Sequence, residues 1–316
     1  MPLRVAFFGT PAFAAPTLEC LLGSGHEVVG VVTQPDRPRG RGQRVSIGPV
    51  KSMAVAAGVP VLQPDRLARD AFYEAFTALQ ADIGVVAAYG KILPDWLLAS
   101  PRLGLINVHA SLLPRFRGAS PIHRAVMAGD SSTGVTMMRV VKALDAGPML
   151  ASIEVPIGPN DTTAFVERTL AAAGAALLLT TVDRLADGPV TEVPQEESLV
   201  TYAPKLTKAE GLVDWALPAP TIHNHIRGLT PWPRAYTFLG GVRYILHESR
   251  VATESAPLDP PGTIMAGPLP HRLIVACGAR TSLELREIQL EGKRSMSATA
   301  ALGLGALRAG ASFSHP

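Results

Sequence analysis

Short apolar runs alternate with helical patterns through the first half of this 316-residue chain, and that alternation restricts its fold more than any other feature. Arg4-Val5-Ala6-Phe7-Phe8 reads as a buried strand ended by Gly9-Thr10-Pro11, and residues 12–22 read as a helix closed by Gly23 and Gly25. Residues 28–33 form a second β-branched run. Residues 51–57 then read as helix, 59–62 as a short strand, 67–79 as helix, and 83–87 and 104–109 as further buried strands. Strand and helix in strict turn predict α/β architecture with a doubly wound, mostly parallel sheet, because parallel neighbours need a crossover between them. Such a Rossmann-like sheet binds its ligands at the carboxyl ends of the strands.

The pattern continues with strands over 135–141 and 149–156 and a long helix over 163–186. Gly188-Pro189 and Pro194-Gln195-Glu196-Glu197 then have the composition of a linker. Beyond it the pattern changes to one short helix over 218–229 and strand-like runs at 235–239, 242–247, 273–276 and 282–290, the first two joined by Gly240-Gly241. The expected organisation is an α/β domain over 1–189, a linker over 190–208 and a smaller β-barrel, OB-like domain over 209–316.

Composition narrows the function classes. Hydrophobic residues at 47% exclude chain-wide disorder, and aromatics at 5% make the cores aliphatic. Cys20 and Cys277 have neither disulfide-scaffold nor metal-knuckle spacing, which fits a reducing, cytoplasmic compartment. The longest uncharged run, 169–182, is shorter than the ~18 residues a membrane span needs, so it reads as a buried Ala/Leu helix. Arg4 ahead of an apolar stretch raises the question of a secretory leader. Pro11 interrupts that stretch, and the pattern runs straight on into the second strand. A net charge of +3 is too small to imply a polyanionic partner, so any nucleic-acid argument has to be local.

The chemistry concentrates in Ile106-Asn107-Val108-His109-Ala110-Ser111-Leu112-Leu113-Pro114. Asn107 and His109 lie two apart at the carboxyl end of a strand, so their side chains leave one face together. A neutral Asn amide donates to a developing oxyanion where Asp would repel it, and His109 donates or shuttles a proton. The pair equally fits a strand-end cap beside a satisfied imidazole. Asp145, in Leu144-Asp145-Ala146-Gly147-Pro148-Met149, taken alone reads as an Asx turn.

Taken together, these segments resemble the formyltransferase family that uses 10-formyltetrahydrofolate. The resemblance rests on Phe8-Gly9-Thr10-Pro11, Thr33-Gln34-Pro35-Asp36-Arg37-Pro38, the Asn107–Pro114 run with Arg117-Gly118, Leu144 to Met149, Tyr202-Ala203-Pro204-Lys205-Leu206 and Pro231-Trp232-Pro233. It implies that Asn107, His109 and Asp145 are the catalytic trio. It further implies that Ser111, Leu112, Leu113 and Pro114 contact the folate, and that Lys91, Ile92 and Leu93 line the pterin pocket. The formyl donor is then 10-formyltetrahydrofolate, with no metal and no obligatory protein partner. The linker and Pro-Trp-Pro text resemble the branch whose acceptor is initiator methionyl-tRNA. Ala143 departs from the Gly usual before Leu-Asp, and Ala12 from the acidic residue usual after Gly-Thr-Pro.

Residues 34–44 form a basic loop. Arg37, Arg39, Arg41, Arg44 and the nearby Lys51 oppose Asp36, five basic groups to one acidic, a surplus of +4. Such a loop grips phosphates, and it equally fits a solvated surface loop; the resemblance assigns it to the tRNA acceptor end. Two other readings remain: formyl transfer to a small amine such as an amino-sugar nucleotide or glycinamide ribonucleotide, and a catalytically silent tRNA- or folate-binding protein. The basic loop and linker text speak against the first, and the intact trio against the second.

Overall fold

The computed structural model of the protein describes residues 1–39, 44–45, 47–253, 259–265, 271–303, 305 and 307–314, with Pro38, Arg39, Arg44 and Val45 described by backbone alone. Its strands are β1 (Arg4–Gly9), β2 (Glu27–Val32), β3 (Pro38–Arg39), β4 (Arg44–Val45), β5 (Val61–Leu62), β6 (Ile83–Ala87), β7 (Leu105–His109), β8 (Ser132–Arg139), β9 (Met149–Pro156), β10 (Ala235–Leu239), β11 (Val242–Val251), β12 (Leu273–Cys277), β13 (Thr281–Leu290) and β14 (Met296–Ser297). Its helices are α1 (Ala15–Leu22), α2 (Pro49–Ala56), α3 (Ala71–Ala78), α4 (Asp95–Leu98), α5 (Pro121–Ala128), α6 (Thr163–Asp187), α7 (Ala219–Gly228) and α8 (Ala298–Gly303). The chain divides into two compact units. One comprises Met1–Pro121, Thr133–Pro156 and Glu167–Ala203; the other comprises Ile122–Ser132, Ile157–Val166 and Pro204–Pro316.

The first unit is built on a seven-stranded sheet of order β5-β2-β1-β6-β7-β8-β9. Strands β5, β2, β1, β6 and β7 run parallel, and β8 is antiparallel to β7. Chain order turns round at β1, with β2 and β5 on one side and β6 and β7 on the other. The crevice beyond the carboxyl ends of β1 and β6 is therefore the switch point where open α/β sheets take ligands. The doubly wound expectation holds. Residues 5–9 are buried because helices cover both faces of a parallel sheet. Phe8 meets Phe76 at 5.6 Å and Tyr89 at 5.7 Å between ring centroids, in a cluster with Phe72, Leu97 and Leu105.

Two helices depart instructively from the sequence pattern. The apolar rhythm suggests helix from residue 67, yet α3 starts at Ala71, because the Asp70 carboxylate caps it by accepting from the Phe72 amide at 2.9 Å. The 25-residue α6 is long and apolar enough to cross a membrane by length and composition. Its buried positions 166, 170, 171, 174, 175, 178, 181, 182 and 185 nevertheless recur at three- and four-residue spacing, the stripe of a packed helix. At Gly174 a Cβ would sit 3.1 Å from Val108 and 3.3 Å from Val135, so α6 lies directly on β7 and β8.

The second unit is a curled antiparallel sheet of order β10-β11-β13-β12, with β14 on β13. Register shifts between Leu246 and Ser249 bulge β11, which lets it run to Val251 while bending. The sheet closes through its last segment. The amide of Ser314 donates to the Phe238 carbonyl on β10 at 2.8 Å, and Ile264 donates to Ala311 at 2.8 Å. Ala276 on β12 in turn donates to Thr263 at 2.9 Å, so β10 and β12 are joined through residues 311–314 and 263–265. Phe313 anchors the closure inside the barrel, stacked on Trp215 at 5.5 Å with 14° between planes. Isolated bridges thus pair residues 311–314 and 263–265 along the outer edges of β10 and β12.

Candidate active site

Strand β7 brings Asn107 and His109 to the carboxyl edge of the sheet. Asn107 lies between Val86 of β6 and Met138 of β8, and His109 pairs with Thr136. The Asn107 side chain is half-buried, and among the described residues its amide makes no hydrogen bond, so both N–H donors are available. His109 is 5% exposed. Its Nε2 lies 3.1 Å from the Phe116 carbonyl, which fixes the Nε2–H tautomer in the neutral ring. Nδ1 then carries the lone pair and faces the Asp145 carboxylate, 3.7 Å from Oδ2. The ring is thus oriented by the Phe116 carbonyl on one side and faces the Asp145 carboxylate on the other.

Asp145 stands on a left-handed turn residue at φ +46°, a conformation that Asp tolerates better than most side chains. Its Oδ2 accepts from the Gly118 amide at 2.8 Å. Two residues on, a Cβ at Gly147 would collide with the Arg139 carbonyl, so only glycine allows the turn to press against β8. Ala143, the departure before Leu-Asp, does not have a positive φ, so alanine is accommodated there without strain. Ala12 is exposed in a 3-10 turn after β1.

The segment after β7 is held from within. The Ser111 hydroxyl donates to the Arg115 carbonyl at 2.6 Å, and Thr136 Oγ1 donates to the Ser111 carbonyl at 2.7 Å while accepting from the Leu113 amide at 3.1 Å. Ser111 is fully buried and its hydroxyl is committed to shaping the loop; Leu113 is buried, and Leu112 and Pro114 are half-buried. Arg117 follows, buried with a backbone bridge to Tyr202: its amide donates to the Thr201 carbonyl at 2.9 Å and its carbonyl accepts from Ala203 at 2.7 Å. Its guanidinium donates to Gln195 Oε1 at 2.9 Å and to Glu197 at 2.8 Å. The linker text therefore builds part of the α/β unit.

Beyond β6 the chain turns sharply, with Ala88 at φ +48° and Gly90 at φ +75°. Lys91 donates to the carbonyls of Pro64 and Asp65 at 2.7 and 2.9 Å, Ile92 is 89% exposed, and Leu93 is packed in the apolar cluster. Only Ile92 of these three offers a free side-chain surface. Among the described residues the neighbouring Tyr89 hydroxyl is buried without a hydrogen-bond partner, and burial pushes it up to about 12, so it stays neutral. Gln34 donates to the Tyr89 carbonyl at 2.7 Å. Asp36 is ion-paired with Lys51, whose hydrogen bond holds the carboxyl below its ordinary range. That pairing leaves the surplus charge of the basic loop to its arginines. Arg37 is exposed; Arg41 and the side chains of Arg39 and Arg44 lie outside the described residues.

Sequence reasoning assigns no role to Gln195 or Thr136, and Gly118 enters it only as part of the Arg117-Gly118 motif. Gln195 sits in a tract of linker composition, and its partners are carbonyls brought near only by folding.

An open sheet with a free amide, a carboxylate-backed imidazole and a glycine-lined turn at its carboxyl edge defines the class: an α/β enzyme equipped for acyl transfer. The chain belongs to the formyl transferase family, matching the formyl transferase model over residues 3–182 and the formyl transferase C-terminal domain model over 205–303. It is 44% identical over 312 residues to a methionyl-tRNA formyltransferase of Bacillus licheniformis, covering 99% of this chain and 98% of the relative. It is 47% identical over 296 residues to that of Methylococcus capsulatus, covering 94% and 95%. Among solved structures, an N-formyltransferase of Helicobacter canadensis in complex with folinic acid and dTDP-3-aminofucose shares the fold, with a TM-score of 0.69, 16% identity and coverage of 90% of this chain and 98% of that one.

Proposed function

We infer that this enzyme transfers a formyl group from 10-formyltetrahydrofolate to the α-amine of methionyl-initiator tRNA in the cytoplasm. Support for the acceptor comes from near full-length likeness to methionyl-tRNA formyltransferases. A folate-derived donor is supported by family membership and by folinic acid in a solved structure of the same fold. Both cysteines are free thiols, in keeping with a reducing compartment.

The observation that carries the chemistry is the unpartnered Asn107 amide beside His109 and Asp145. The amine lone pair attacks the formyl carbon, the new N–C bond forms, and the carbonyl electrons move onto oxygen. Asn107 donates to that oxygen without placing charge against it. His109 accepts the amine proton at Nδ1, and the Asp145 carboxylate 3.7 Å away stabilises the resulting imidazolium. Collapse breaks the bond between the formyl carbon and N10 of the folate, and N10 takes the proton held by His109, directly or through water, as it leaves. Folate is read as lying against the backbone and exposed surfaces of residues 111–114 and of the 91–93 turn, where Ile92 is exposed, with the arginines of residues 37–44 holding the acceptor end. By this reading residues 1–189 carry the bond-making groups and 209–316 form a tRNA-docking module joined through 190–208.

Incubation of the protein with 10-formyltetrahydrofolate and, in turn, methionyl-initiator tRNA, an amino-sugar nucleotide and glycinamide ribonucleotide tests the assignment. Formyl-methionyl-tRNA should be the favoured product. Efficient formylation of a small amine with none of the charged tRNA would overturn it.

A further inference from the structure

We propose that Gln195 is a positioning residue for formyl transfer: its side-chain amide holds the turn that aims Asp145 at His109. The proposal rests on the reading of Asp145 given above.

Gln195 lies eight residues past the end of α6, in the segment whose composition suggests a passive connector. Its Nε2 donates two hydrogen bonds, each 2.8 Å, to the main-chain carbonyls of Asp145 and Gly147. Its Oε1 accepts from Arg117 Nε at 2.9 Å. One amide thus spans the catalytic turn with its donors and ties it, through its acceptor, to a buried guanidinium. Arg117 is in turn fixed to the backbone of Thr201 and Ala203.

The turn needs such a brace. Asp145 holds a left-handed φ of +46°, and its carboxylate has two tasks: accepting from the Gly118 amide at 2.8 Å and facing His109 Nδ1 at 3.7 Å. The Gly118 bond fixes one end of the side chain, and Gln195 fixes the main chain from which the side chain springs. Residue type matters here. A glutamine supplies two donors to the carbonyls and one acceptor to the arginine; a glutamate of equal size keeps the arginine but sets oxygen against oxygen at both carbonyls. A catalytic carboxylate displaced by about 1 Å costs up to about 100-fold in rate, even when binding is intact.

The test uses the full-length enzyme with Gln195→Met, Gln195→Glu and Asp145→Asn, and Ser198→Ala as a control in the same segment. Readouts are single-turnover formyl transfer, KM for both substrates, the pH profile of kcat, and the side-chain 15N resonances of His109. Both Gln195 variants should lose about 10- to 100-fold in kcat with KM nearly unchanged, an altered pH profile and shifted His109 resonances, while Ser198→Ala behaves as wild type. Should Gln195→Met fail to fold, Gln195→Glu decides, since it can still pair with Arg117. Wild-type kcat and pH profile in Gln195→Glu beside a crippled Asp145→Asn would overturn the positioning role and leave the catalytic reading intact. Wild-type turnover in Asp145→Asn would instead overturn the catalytic reading itself.

Discussion

Gly118 donates its amide to the Asp145 carboxylate at 2.8 Å, and the geometry at Gly118 leaves little room for change. Its φ is +125°, and a Cβ there would stand 2.8 Å from the Ala203 carbonyl oxygen. Gly118→Ala should therefore cost about 1–3 kcal/mol of stability and draw the amide away from Asp145, lowering kcat more than KM. Thermal denaturation alongside steady-state kinetics checks this, and unchanged kcat would show that the Gly118 bond does not place the carboxylate. The proposed trio is legible only through the family resemblance: spacing puts Asn107 and His109 on one strand face but equally fits a capped strand end, and Asp145 taken alone reads as an Asx turn. Ser111 is legible as part of the loop but not in its task, since only the folded chain puts the Arg115 carbonyl 2.6 Å from its hydroxyl. Gln195 is illegible for the same reason.

Among the elements, closure of the barrel is where packing matters most in the second unit. Phe313 is 4% exposed and sits against both Trp215 and Tyr244. Phe313→Ala should cost about 3–5 kcal/mol, read from denaturant unfolding followed by tryptophan fluorescence. A loss below about 1 kcal/mol would mean that the final segment is not what closes the sheet. A second element-scale effect lies at Glu210, which pairs with Arg124 at 2.5 Å and accepts from the Thr207 amide at 2.8 Å. The hydrogen bond from Arg124, foremost, holds its carboxyl below the ordinary value of 4.5. A carboxyl depressed in the folded state contributes stability above its unfolded pKa and loses it as pH falls through the folded one. Glu210→Gln should flatten the stability–pH curve below about pH 4.5 and leave its slope near neutrality unchanged; an unaltered acid limb would contradict the pairing. Strand and helix existence is legible from short continuous apolar runs against three- to four-residue spacing. Boundaries are less so, because Asp70 capping α3 and the bulge in β11 are decided by single hydrogen bonds.

For the molecule as a whole, the proposed division of labour puts acceptor binding on the basic loop. Lys51 is ion-paired with Asp36, so the proposed phosphate contacts fall to the arginines of residues 37–44. Replacing Arg39, Arg41 and Arg44 with Ala should raise KM for charged tRNA and reduce the salt slope of binding by up to about one unit per arginine, with folate affinity held. Loss of folate binding with tRNA KM intact would move the loop to the donor site. The alternation that predicts the doubly wound sheet and the change in pattern that predicts the barrel were both legible. The assignment of residues 122–132 and 157–166 to the second compact unit was not, because segments distant in sequence are gathered there by folding.

The central claim is that Asn107 stabilises charge on the formyl oxygen while His109 takes the amine proton. Single-turnover formyl transfer from 10-formyltetrahydrofolate to methionyl-initiator tRNA, comparing wild type with Asn107→Asp, tests it most directly. The isosteric carboxylate should slow the chemical step by at least about 10²–10³-fold while folding and both binding constants are retained. Transfer at the wild-type rate would contradict the account.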